Sequence, residues 1–178
     1  MFKALFRKDP SHEAGRALYA AAVEQARTPA FYRDFGAPDT VEGRFEQVAL
    51  HVYLIMRRLK GDEAAKKTSQ SLLDAMFQNM DDSLREMGVG DLQVGKKVRK
   101  LAENFYGRIG AYEAALKDGA EEGALAEALS RNIYEVKSSD DAAALADYVR
   151  NTDRFLEGQP AARIANGIVM FPTVERAP

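Results

Sequence analysis

Apolar residues recur at three- and four-residue spacing along most of this chain, the period of helices that bury one face. Phe45, Val48, Ala49, Val52, Ile55, Met56 and Leu59 form the clearest stripe. Leu72, Leu73, Met76, Phe77, Met80, Leu84 and Met87 form a second. Val94, Val98, Leu101, Ala102, Phe105, Ile109, Tyr112 and Leu116 form a third. Cap and breaker residues divide these stripes. Asp9-Pro10-Ser11 precedes a helix over Glu13 to Arg27, and Thr28-Pro29 starts a short piece with Phe31, Tyr32 and Phe35 that stops at Gly36 and Pro38. Asp39 or Thr40 caps the first stripe, and Gly61-Asp62 ends it and opens the second. Gly88 stands where a left-handed C-terminal cap is expected, and Asp91 is placed to accept hydrogen bonds from the free amides of the next helix.

Farther on, Gly119 stops the third stripe and Ala124 to Tyr134 reads as helix. Ser138-Ser139-Asp140-Asp141 is a start signal for a last long helix with Leu145, Tyr148, Val149, Phe155 and Leu156, closed by Gly158-Gln159-Pro160. Gly167 to Pro172 predicts an extended apolar tail packed on the bundle. The chain shows no strand pair and no internal repeat. The expectation is an all-α fold, a single irregular bundle of about six to eight helices. Residues 1–10 are expected to be a flexible segment, 11–172 the helical domain and 173–178 a disordered tail.

At 178 residues one domain is the natural reading. The net charge of −2 gives no electrostatic case for nucleic acid as the main partner. Cysteine is absent, which excludes a disulfide framework, a thiolate zinc site and a cysteine nucleophile. No run approaches the roughly 20 apolar residues that span a membrane. The start, with Phe2, Leu5 and Phe6 among Lys3, Arg7 and Lys8, lacks the apolar core of a secretory signal. It reads as a frayed terminus or as a short basic amphipathic turn that touches an anionic membrane surface.

The stretch Met80 to Lys100 carries more chemistry than a helix turn needs. Lys96, Lys97, Arg99 and Lys100 crowd the start of a helix, where cations oppose the helix dipole at about a few tenths of a kcal/mol each. Local stability therefore does not explain them. They read either as a surface for an acidic partner or as a solvated basic face beside Asp81, Asp82 and Glu86. Arg44, His51 and Arg58 lie within about 40° of one another on their helix, along one flank of its apolar stripe. One reading is a polar recognition strip beside an apolar groove; the other is a locally bonded boundary histidine with two paired arginines. Asp81-Asp82 resembles half of a magnesium-binding aspartate motif, but Arg85 stands where a further carboxylate belongs, so an ion pair with Arg85 is the better reading. Neither histidine follows a glutamate by three residues, and the HExxH, Walker and GxSxG motifs are missing. The expectation is no catalytic residue, no metal and no cofactor. Met56, Met76, Met80 and Met87 suit an adaptable apolar groove, though core filling is the better reading of that spacing.

The run Phe77-Gln78-Asn79-Met80-Asp81-Asp82-Ser83-Leu84-Arg85-Glu86-Met87-Gly88-Val89-Gly90-Asp91-Leu92, followed by Lys96-Lys97-Val98 and Phe105-Tyr106-Gly107-Arg108, resembles the ubiquinol–cytochrome c chaperone family. Arg44-Phe45 through His51 to Arg58-Leu59 is similar to that family's first helix. The resemblance spans roughly Ala30 to Leu116, and the chain looks like the bacterial form. It implies an assembly chaperone that binds cytochrome b, or an early cytochrome bc intermediate, without turnover. On that reading an apolar surface flanked by Arg44, His51 and Arg58 is expected to shield the client, with Asp81, Arg85, Glu86, Asp91, Lys96 and Lys97 fixing its orientation, in the cytoplasm or peripherally at the inner face of the cytoplasmic membrane. The alternative is a helical adaptor whose basic helix start binds ribosomal RNA or an anionic membrane surface.

Overall fold

A computed structural model describes residues 9–136 and 139–176. Among the described residues every regular element is helical. They are α1 (Pro10–Ala26), α2 (Pro29–Arg33), α3 (Val41–Leu59), α4 (Lys66–Glu86), α5 (Asp91–Ala115), α6 (Ala124–Leu129), α7 (Asp140–Glu157) and α8 (Ala161–Ala165). A 3₁₀ turn over Glu63–Ala65 leads into α4, and a π-helical turn over Ser130–Tyr134 follows α6. The all-α expectation holds, at the upper end of the expected helix number.

Local chemistry explains most boundaries. Asp9 accepts the Ser11 amide at 3.0 Å, so α1 starts at Pro10, ahead of the expected Glu13. Thr40, not Asp39, caps α3 by accepting the Gly43 amide at 3.0 Å. Ser139 accepts the amides of Asp141 and Ala142 to start α7; Ser138 lies outside the described residues. Gly88 adopts φ +82°, the left-handed cap that lets α4 end in a tight turn. The expected Asp91 cap is a correction: Gly90 occupies the cap position without a side-chain bond, and Asp91 turns its carboxylate to Arg85. Helix α8 has no counterpart among the expected helices: Pro160, the expected stop after α7, stands at its cap.

The central helix differs most from its apolar stripe. Phe45 and Val48 are only partly buried, whereas Leu50, His51, Tyr53 and Leu54, off the stripe, are buried. The reason is that α3 is covered on two sides. Leu18, Ala22, Leu72, Met76 and Phe105 pack with its Val52, Ile55 and Leu59. Phe31, Leu125, Leu129, Leu145 and Val149 pack with its Leu50, Tyr53 and Leu54. Ile109, Val169 and Phe171 touch both clusters.

The tail after α8 is extended, as the sequence predicts. Val169 and Phe171 point inward and Ile168 and Met170 outward, in strand-like alternation. The Gln159 side chain replaces a neighbouring strand by accepting the Met170 amide at 3.0 Å and donating to its carbonyl at 2.9 Å. Of the segment expected as a tail, residues 173–176 lie along the bundle. Val174 is buried, and Arg176 bonds the Asp34 carbonyl and the Asp141 carboxylate. Expectations for residues 1–8 and 177–178 lie outside the described residues. Among the described residues no helix is long and apolar enough to cross a membrane.

Candidate functional site

The expected strip of Arg44, His51 and Arg58 does not exist as a surface. His51 is fully buried, with its ring 5.3 Å from that of Phe31 and 5.3 Å from that of Phe171. Its Nδ1 lies 2.7 Å from the Gln47 carbonyl. A carbonyl only accepts, so Nδ1 carries the proton, and in the neutral ring Nε2 accepts from the Tyr148 hydroxyl at 2.9 Å. Gln25 Nε2 donates to the same hydroxyl and to the Pro172 carbonyl, both at 3.0 Å. One chain of bonds, buried at His51 and half-buried at Gln25, thus ties α1, α3, α7 and the tail. Arg58 donates to the Leu156 carbonyl at 2.8 Å and the Gln159 carbonyl at 2.6 Å, closing the free end of α7. Arg44 alone of the three is exposed, paired with Asp39 at 2.6 Å.

Burial lowers the His51 imidazole to about 4, against the bond to the Gln47 carbonyl. The unfolded chain therefore takes up this proton first. The contribution of neutral His51 is present above the ordinary value of 6.5 and is lost as pH falls toward 4. Glu46 has the opposite sign. Burial pushes it up to about 7 despite Arg108 at 2.6 Å, so its contribution is present below the ordinary carboxylate value and lost as pH rises through 7. The two offset each other in the native protein. A His51→Gln variant isolates the histidine. Urea unfolding at pH 7.5 and at pH 5 should show its stability deficit shrinking by about 2 kcal/mol at the lower pH. An unchanged deficit would mean that His51 is not held neutral.

At the hairpin between α4 and α5 the structure brings together some of the expected residues. Arg85 bonds Asp81 at 2.6 Å and also Asp91, so these three satisfy one another. Asp82 accepts from Gln78 at 3.0 Å. Glu86, Lys96 and Lys97 are exposed, and no ion pair among the described residues uses them. Of the methionines, Met76 and Met80 are core, Met56 is partly buried and Met87 is exposed.

The opposite end of the same helix pair holds a cleft of about 350 Å³ between the end of α3, the 3₁₀ turn, α4 and α5. Met56, Leu59 and Ile109 supply apolar lining, and Lys60 and Lys66 stand among its polar residues. One wall is a charge network that joins three helices. Arg57 donates to Asp153 at 2.9 Å and to Glu113 at 3.0 Å, while Tyr53 and Lys60 donate to Glu113 at 3.0 and 3.1 Å. Burial pushes the Glu113 carboxyl up, but the bonds from Arg57, Lys60 and Tyr53 outweigh it and hold the group below its usual range. Sequence reasoning missed this wall. Tyr53 and Arg57 stand one turn apart on the same face of α3, which is visible in the sequence. The carboxylate partners of these two and of Lys60 are 53 to 96 residues away and were not legible.

The description "Ubiquinol-cytochrome C chaperone" belongs to the family whose profile matches residues 33–171. The crystal structure of the Cbp3 homolog from Brucella abortus superposes with a TM-score of 0.82 and 37% identity, over 92% of this chain and 91% of that one. The ubiquinol-cytochrome-c reductase complex assembly factor 1 of Xenopus laevis is 27% identical, over 79% of this chain and 70% of its own length. The Mus musculus protein of that name is 26% identical over 90% of this chain. This chain covers only 56% of that mouse protein. With its fold and most of its length matched, the chain belongs to the ubiquinol–cytochrome c chaperone family.

Proposed function

We propose that this protein is a non-enzymatic assembly chaperone that binds cytochrome b, or an early intermediate containing it, during biogenesis of the ubiquinol–cytochrome c reductase complex. It acts stoichiometrically and without a cofactor, at the inner face of the cytoplasmic membrane. The observation that carries this reading is the family match over residues 33–171, supported by relatives named as assembly factors of that complex. The cleft beside Met56 and Ile109 is the client contact in this reading. The cleft is open to solvent, and in this reading it takes side chains from one face of a client helix. Met56 adapts to their shapes, and Lys60 and Lys66 meet polar groups at the edge.

The test is deletion in the native host, read by haem b absorbance of the membranes and a blot for cytochrome b. Both signals should fall while other membrane cytochromes stay. The wild-type chain should restore them. A Ser69→Trp variant, which fills the cleft from α4, should keep its melting temperature and fail to restore them. Normal cytochrome b in the deletion strain would sink the client assignment. Full rescue by Ser69→Trp would remove the cleft from it and leave the client standing.

A further inference from the structure

The turn between α4 and α5 exposes apolar side chains that the fold does not use. Leu92 is 92% exposed and Met87 57% exposed, on either side of Gly88 and Gly90. Leu92 projects almost opposite to Val94, which is fully buried. Its own face of α5 continues through Lys96 and Arg99, with Lys100 on its flank and Lys97 farther round the same turn. Lys100 reaches Glu103 at 3.7 Å, while Lys96, Lys97 and Arg99 enter no ion pair among the described residues. The nearby carboxylate of Asp91 is already engaged by Arg85. A chain of net charge −2 therefore carries a concentrated positive collar behind an apolar tip.

We propose that this hairpin tip docks on an anionic lipid bilayer, with Leu92 and Met87 entering the headgroup region and Lys96, Lys97, Arg99 and Lys100 meeting lipid phosphates. An apolar tip backed by cations is the chemistry of interfacial binding, in which burial of apolar groups and attraction to anionic lipids add. RNA fits less well. Phosphate contacts would use the lysines but leave Leu92 and Met87 in water, and residues 85–100 contain no aromatic side chain on which a base could stack. Ile109, in the cleft lining, lies about 25 Å from Leu92 along the axis of α5. Docking at the tip thus leaves the cleft open, and the proposal stands whether or not the client is cytochrome b.

The experiment is co-sedimentation of the full chain with vesicles of phosphatidylcholine alone or mixed with phosphatidylglycerol, across a salt series. The protein should bind the mixed vesicles and release them as salt rises. A Lys96→Glu/Lys97→Glu variant should partition at least about tenfold more weakly. Leu92→Ser should partition about fivefold more weakly at each salt concentration. All these positions are exposed, and circular dichroism should show unchanged melting. Failure of the wild type to bind anionic vesicles overturns the proposal, as does RNA binding by the wild type without vesicle binding. Equal binding by both variants also overturns it, because the contact would then lie elsewhere. The vesicles contain no client, so this result is independent of the deletion experiment.

Discussion

Replacing Arg57 with methionine is expected to lower folding stability by about 3 kcal/mol. Arg57 is 21% exposed and sits between Glu113 and Asp153, themselves 18% and 15% exposed. Methionine fills similar space but leaves the largely buried Asp153 without its cation and Glu113 with only the exposed Lys60 as a counter-charge. Loss of one partner from a buried pair costs more than the pair contributes, because the remaining charges keep their desolvation penalty. About a fifth of the arginine side chain meets solvent, which keeps the figure at the low end. In the native protein Glu113 is held below its usual range. Its contribution is present above the ordinary carboxylate value and fades as pH falls through the lower folded one. In the variant Glu113 loses the Arg57 bond, and that part of the contribution goes with it. Urea midpoints at pH 7.5 and pH 4 should therefore show the deficit narrowing in acid. A deficit below about 1 kcal/mol at neutral pH would mean that the network is only a surface ion pair.

The second large effect concerns backbone contact. Gly15→Val should destabilise the protein by about 3 kcal/mol or more. A Cβ built at Gly15 would lie 2.5 Å from Ser71 Cβ and 2.6 Å from the Leu72 backbone nitrogen. Neither atom can swing away as the end of a flexible side chain would. Helices α1 and α4 would have to separate, opening the cluster that holds Leu18, Ala22, Leu72 and Met76. Helix propensity argues the other way, because glycine is the weaker helix former by about 1 kcal/mol relative to alanine. The control is Gly107→Ala on α5, where a Cβ meets nothing within 4 Å. That change should stabilise by about 0.5–1 kcal/mol. Thermal melts of the two variants should move in opposite directions. A Gly15→Val protein that melts with the wild type would mean that the helices are not in close contact at this position.

Much of the fold was legible because helices announce themselves locally. The Thr40 and Ser139 caps and the Gly88 stop all act within a few residues, and each acts where the pattern places it. Asp91 shows the limit. It had the right residue type for a cap, but Arg85 from the preceding helix competes for its carboxylate. Pro160 shows another, since the residue that ends one helix also starts the next. At the candidate site, the Arg85–Asp81 pair was readable as neighbours one turn apart. The Arg57 network and the cleft were not, because they join segments distant in the chain.

By itself the sequence determined the helical class, the starts and stops of the longer helices to within a few residues, the basic collar after Gly90 and the likeness to one chaperone family. Tertiary structure alone decided which polar side chains meet water. Periodicity states where a residue lies around its own helix and says nothing about how many sides of that helix are covered. His51 and Arg58 sit on the flank of a stripe, and a helix packed on one side would present them to solvent. Because α3 is packed on two sides, His51 becomes an internal strut against Tyr148, and Arg58 closes the end of α7. Leu92, which local pattern treats as one more apolar residue, is left in the open because no other part of the described chain reaches the tip of the hairpin.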